Sequence, residues 1–122
     1  MEQIEAAIVG SVTRSPILHA PAEMRCCRTK GHAGRVALVY SGFSQETVAD
    51  RMGVTGGYLS LLLSGKRRWT DDMQRRFIRI TGSLAPLQWD AEQQGVELYV
   101  DPVKQRLAQL EAEKAEILRS AA

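Results

Sequence analysis

Apolar residues recur every three or four positions along most of the chain, a spacing that predicts amphipathic α-helices. The pattern is clearest over residues 44–65, where Gly53 separates two short apolar stripes. Ser44 and Thr55 stand where N-caps would begin two helices, and Gly65 stands where the second would end. We therefore expect two short helices joined by a tight turn at Gly53. Their shared apolar surface would consist of Val48, Ala49, Met52, Val54, Leu59, Leu62 and Leu63.

The flanking segments predict further helices. Two glycines, Gly31 and Gly34, weaken one of them and are expected to divide it. Thr70 is the expected N-cap of another, with two acidic residues in its first turn. A linker or irregular arm is expected over residues 12–21, because it contains two prolines. The predicted flanking helices cover residues 2–9, 22–40, 70–81, 84–94 and 101–120.

Residues 96–100 alternate apolar and polar side chains, which predicts a short strand. A lone strand needs a partner, which would be a second copy of itself or residues near Ile8 or Ile17. The helix that follows carries a short heptad seam, interrupted by Lys114. We expect this seam to be a docking or dimerisation face, formed by Val103, Leu107, Leu110 and Ile117.

These elements predict an all-α protein in three parts. Residues 1–21 would form an N-terminal helix and arm, and residues 22–95 a helical domain with a single core. Residues 96–122 would form the strand and the dimerisation helix.

Positive charge is concentrated in the middle of the chain, although the net charge is only +2. Residues 24–79 contain eleven Arg and Lys against four Asp and Glu. Such a local excess is typical of a surface that meets phosphate groups. The alternative is a solvated face whose acidic neighbours come from elsewhere in the fold.

The paired helices resemble the Cro/C1-type (Xre-like) helix-turn-helix family of phage and bacterial transcriptional regulators. The residues that carry the resemblance are Ser44-Gln45-Glu46, Val48-Ala49, Met52-Gly53-Val54, Leu59-Ser60, Leu62 and Gly65-Lys66-Arg67. The resemblance implies a five-helix, lambda-repressor-like domain that binds double-stranded DNA as a homodimer. Residues 55–64 would then be the recognition helix in the major groove. It further implies a repressor or autoregulator of phage or prophage origin.

The same resemblance assigns roles to individual residues. Gln45 would contact a phosphate, and the loop after the second helix would contact others. Reading of bases would fall to the start and outer face of that helix. The implied DNA-binding residues are Gln45, Thr55, Gly56, Gly57, Tyr58, Ser60, Leu61, Lys66, Arg67 and Arg68. A second basic group offers possible phosphate contacts at Arg25, Arg28, Lys30 and Arg35.

Gly56 and Gly57 depart from the family pattern, which often has Gln, Arg, Ser or Asn there. Two glycines in the first turn of a helix cost about 1 kcal/mol each relative to alanine. They would either allow the backbone to approach the groove closely, or be merely tolerated while Tyr58 packs against Arg51. Because this departure removes side chains that could read bases directly, sequence preference would rest on DNA shape, flanking arms or dimer spacing.

Other classes of function find less support. A protein-interaction module with the same fold, such as a phage inhibitor that binds a host protein, is the alternative. No catalytic residues, cofactor or metal site are expected, since the usual ligand spacings are absent. Cys26 and Cys27 are adjacent and are expected to be reduced thiols. Without a membrane-spanning run or a signal peptide, a cytoplasmic location is expected.

Overall fold

A computed structural model describes residues 16–121, and every regular element in that range is an α-helix. The all-α prediction is therefore confirmed for this part of the chain. The helix predicted over residues 2–9 and the pairing partner near Ile8 lie outside the described residues. We number the helices α1 (Pro21–Arg25), α2 (Lys30–Ser41), α3 (Gln45–Met52), α4 (Gly56–Leu63), α5 (Asp71–Thr81), α6 (Ala85–Gln93) and α7 (Pro102–Ala121).

Side-chain caps begin the helices at the positions that the sequence predicts. The side-chain oxygens of Ser44, Thr55 and Thr70 each accept a hydrogen bond from the backbone N–H three residues later. Gly53 ends α3 with φ of 77°, a left-handed conformation that glycine adopts without steric cost. The predicted turn between α3 and α4 is confirmed.

The core lies between α2, α3, α4 and α5, with α6 packed against α2. Six of the seven residues predicted for the shared apolar surface are buried, and Val54 is half-buried against them. Trp69 and Trp89 are partly buried against the same cluster. In α6, Leu87 is 38% exposed, whereas Pro86 beside it is fully buried.

The sequence suggested that Gly31 and Gly34 would divide a helix, but both lie within one continuous helix. The break falls at residues 26–29, and both glycines lie buried inside α2. A Cβ on Gly31 would stand 2.0 Å from the carbonyl oxygen of Leu63, and one on Gly34 would stand 2.8 Å from Cδ2 of Leu63. These glycines therefore let α2 lie directly against the end of α4.

Residues 16–20 form an irregular arm that is anchored to the junction of α5 and α6. Ile17 forms an isolated parallel bridge with Ser83, with its N–H donating to Gly82 O and its carbonyl accepting from Leu84 N–H. The side chain of His19 lies 2.6 Å from Ser83 Oγ. Ile17 is thus engaged with this junction and does not pair with residues 96–100.

The strand predicted over residues 96–100 is absent: in the single chain these residues form no regular secondary structure. The backbone N–H of Val96 donates instead to Ala91 O, in the turn that ends α6 at Gly95. Pairing between two copies is not tested by a single chain and stays a prediction. Helix α7 follows as expected, and none of its residues is buried.

Candidate functional site

The outer side of α4 is exposed. Leu59, Leu62 and Leu63 turn into the core, as the sequence predicted for Leu63. The predicted base-reading residues occupy the opposite side, where Leu61 is 38% exposed and Tyr58 is half-buried. The other predicted DNA-binding residues of this helix are all exposed: Thr55, Gly56, Gly57 and Ser60. No described helix therefore covers this side of α4.

The two glycines at the start of α4 have no role in packing. A Cβ on Gly56 would meet no atom within 4 Å, and one on Gly57 would meet only Thr55 Oγ1 at 4.0 Å. Neither residue has a positive φ. The described fold therefore gives no steric or conformational reason for glycine at either position, although alanine would favour the helix. Open space is available there for an approaching molecule.

The loop after α4 holds three exposed cations close to that surface. The backbone N–H groups of Lys66 and Arg67 both donate to Leu61 O, at 3.0 and 3.1 Å. Trp69 Nε1 donates to Leu62 O at 3.1 Å, which anchors the far end of the loop. These bonds place Lys66, Arg67 and Arg68 directly beyond the last turn of α4, with their side chains exposed.

Tyr58 packs with a different cation from the one that the sequence suggested. The Arg67 guanidinium lies 4.8 Å from the centroid of the Tyr58 ring, a cation–π arrangement. Arg51, the expected neighbour, instead lies over Phe43 at 4.4 Å. The contact between Tyr58 and Arg67 links the face of α4 to the basic loop. Nothing in the sequence indicates it, since nine positions separate the two residues.

Gln45 is the first residue of α3 and is half-buried. Ser44 caps the same turn through its side chain, which accepts from Thr47 N–H at 3.1 Å. The first N–H groups of a helix have no partner within the helix and can bind an anion. Gln45 thus stands where its backbone and its amide could both meet a phosphate.

In the second basic group, one residue forms a salt bridge within the fold and three are exposed. Lys30 Nζ lies 2.8 Å from Asp90 Oδ2 and donates to Gln74 Oε1 at 2.7 Å. Because its charge is already matched by Asp90, Lys30 is less suited to a phosphate contact than an exposed arginine is. Arg25, Arg28 and Arg35 are exposed. Arg28 precedes by three positions Gly31, which contacts the end of α4.

The cysteines are free, with Cys26 exposed and Cys27 buried. Burial raises the pKa of the Cys27 thiol, and the neighbouring Cys26 and Glu23 charges raise it further. The thiol is therefore poorly suited to act as a nucleophile or a metal ligand at neutral pH. Among residues 16–121, no group of three His, Cys, Asp or Glu side chains could hold a metal ion.

The predicted dimerisation residues form an exposed apolar stripe along α7. Val103, Leu107, Leu110 and Ile117 are 68%, 55%, 43% and 61% exposed. Leu118, which lies outside the predicted seam, is 61% exposed on the edge of the stripe. None of the helices in the described part of the chain is long and apolar enough to cross a membrane.

Comparison of the chain with protein-family models, with curated proteins and with solved structures finds no match in any of the three. The assignment of a function therefore depends on the geometry and chemistry of the residues described above.

Proposed function

We propose that this chain is a sequence-specific transcriptional regulator that binds double-stranded DNA as a homodimer. In this proposal, α2–α6 form a lambda-repressor-like helix-turn-helix domain, and α4 is the recognition helix in the major groove. The role would be that of a repressor or autoregulator of phage or prophage origin. The proposal rests on the motif residues over 44–67 and on the exposed side of α4.

One observation carries the proposal: the uncovered side of α4 ends at a loop with three exposed cations. A helix that enters the major groove needs an exposed side for the base edges and flanking cations for the phosphates. The hydrogen bonds from Lys66 and Arg67 to Leu61 O hold this loop against the helix. An exposed helix side and a group of cations therefore lie next to each other on α4 and on the loop that follows it, which supports the proposal.

The glycine pair supports a close approach of the backbone to DNA. Gly56 and Gly57 cost helix stability and fill no space within the described fold. A major groove is about 12 Å wide, so a helix start without side chains could enter it deeply. Tyr58, Ser60 and Leu61 would remain to contact the sugar-phosphate backbone, a base edge and a thymine methyl group. Part of the preference would then come from DNA shape.

The first experiment is selection of bound duplexes from a random DNA pool with the full chain at about 0.15 M salt, where non-specific binding is weakened. The proposal predicts a symmetric motif with half-sites about one helical turn, or a multiple of it, apart. If no motif is recovered, and weak binding disappears as salt rises, the proposal is wrong.

Salt dependence tests the basic loop directly. Each neutralised phosphate contributes about 0.9 to the slope of log K against log salt, so Arg67→Ala/Arg68→Ala should lower that slope by about 2. The matched control is Arg75→Ala/Arg79→Ala, which removes two exposed arginines from α5. An equal effect of both double substitutions would indicate general charge attraction and not the proposed docking surface.

A protein-interaction module, such as a phage inhibitor of a host protein, is the second candidate. The observation that favours it is Leu61, 38% exposed on a surface where Gly56 and Gly57 offer no side chains for reading bases. This function predicts that the duplex selection yields no motif. It also predicts that Leu61→Asp abolishes binding of the partner protein.

A further inference from the structure

The apolar side of helix α7 is exposed, whereas its half-buried residues lie on the other, mostly polar side. Successive residues are rotated by about 100°, which places the half-buried residues Gln105, Gln109, Ala112 and Glu116 on one side, with the half-buried Glu113 at its edge next to the seam. Gln105 Nε2 donates to Pro16 O at 2.6 Å. The opposite side carries the exposed apolar stripe, including Leu107 and Leu110. A helix that docked on its own domain would show the reverse arrangement.

The two halves of α7 differ in net charge. The first half, residues 102–110, carries Lys104 and Arg106 and no acidic residue. The second half begins with Glu111 and Glu113 and has more acidic than basic residues. None of these four side chains forms an ion pair with another described residue. A helix with this charge order is complementary to a copy of itself that runs in the opposite direction.

We propose, building on the homodimer of the proposed function, that a second copy of this chain covers the apolar side of α7 with the two helices antiparallel. Leu107 would pack against Leu110 of the partner subunit, and the two-fold axis would repeat that contact. In an antiparallel pair, the residues that flank the seam then meet as opposite charges. Lys104 comes beside Glu111 of the partner subunit, and Arg106 comes beside Glu113 of the partner subunit.

A parallel pair is a poorer match to the same residues. It would place Lys114 beside Lys114 of the partner subunit, within the seam. It would also bring Arg106 beside Glu111 of the partner subunit and leave Glu113 without a cation across the interface. Arg106 therefore has a different partner in each orientation, which makes the orientation measurable.

The test is sedimentation equilibrium of the full-length chain without DNA. Arg106→Glu should raise the dimer dissociation constant about tenfold, because two symmetric attractions become repulsions. Arg106→Glu/Glu113→Arg should restore it to within about twofold. Residues 106 and 113 lie about 10 Å apart along one helix, so direct pairing within the chain cannot cause the recovery. Recovery with Arg106→Glu/Glu111→Arg alone would establish the parallel pair and overturn the proposal.

A second measurement tests the surface itself. Leu107→Asp/Leu110→Asp should make the chain monomeric at every concentration and leave the domain folded, because α7 contributes no buried residue. The series must reach high micromolar protein, since so short an interface is weak. A wild-type chain that stays monomeric, or a double variant that stays dimeric, overturns the proposal. Failure to bind duplex DNA would contradict the proposed function alone, because no DNA enters these measurements.

Discussion

Gly31 and the carbonyl oxygen of Leu63 lie so close that a Cβ on residue 31 would stand 2.0 Å from that oxygen. The oxygen belongs to the backbone of the last turn of α4, so it cannot rotate aside as a side chain could. The absence of a side chain at residue 31 therefore sets the distance between α2 and α4. It also positions the end of α4 from which the basic loop departs.

Replacement of Gly31 by alanine should lower the free energy of unfolding by about 3 kcal/mol, because α2 must move away from α4. Urea denaturation with a helical signal measures the loss. Gly34→Ala is the matched control, since its Cβ would meet Cδ2 of Leu63, the end of a flexible side chain. Its cost should be clearly smaller. Equal costs at the two positions would contradict the role given to Gly31.

The glycine pair of α4 should behave in the opposite way. Gly56→Ala/Gly57→Ala should raise the free energy of unfolding by about 2 kcal/mol, because both positions are open and alanine restricts the unfolded chain. The same variant should bind its selected duplex more weakly, since two methyl groups would stand at the closest approach to DNA. Thermal unfolding and a binding titration measure the two effects. Higher stability with unchanged affinity would remove the glycine pair from the interface.

Lys30 should contribute to stability and not to DNA binding. Lys30→Met leaves Asp90 without its cation and should cost about 1 kcal/mol of unfolding free energy. Its affinity for DNA should stay unchanged, whereas Arg28→Ala should weaken binding because that side chain is exposed and has no acidic partner among the described residues. The same titration compares the two variants. Equal losses of affinity would return Lys30 to the interface.

Cys27 should make the fold sensitive to alkaline pH. Burial raises the pKa of its thiol in the folded chain above the ordinary value of 9.0, so the unfolded chain loses this proton first. The resulting stability is fully present below pH 9.0 and is lost as the pH rises through the folded-state pKa. Denaturation of the wild type and Cys27→Ala at pH 7.5 and pH 10 measures the effect. The variant should lose less stability between these pH values than the wild type.

Features set by neighbours in the chain could be predicted from the sequence. The caps at Ser44, Thr55 and Thr70 act over three residues, so a local pattern contains all the information about them. The positive φ of Gly53 follows in the same way from the end of one apolar stripe and the start of the next. The position of the basic loop after α4 was equally local.

Features set by distant residues could not be predicted. Gly31 appeared to weaken a helix because its partner, Leu63, is 32 positions away in the chain. Lys30 looked like a free cation because the carboxylate that matches it, Asp90, is 60 positions away. Over residues 96–100, five alternating side chains predicted a strand, but the N–H of Val96 donates to Ala91 O in the turn that ends α6. For Gly31 and Lys30, tertiary packing decided between readings that local patterns left open, whereas over residues 96–100 a second local feature, the turn that ends α6, took the place of the strand.

The outward apolar side of α7 has a consequence for dose response. An interface as short as the proposed pair would leave most copies monomeric when the protein is scarce. Under the proposed function, occupancy of a symmetric site would then rise with the square of protein concentration. A small change in synthesis or degradation would be amplified at the DNA, and the regulator would act as a threshold device.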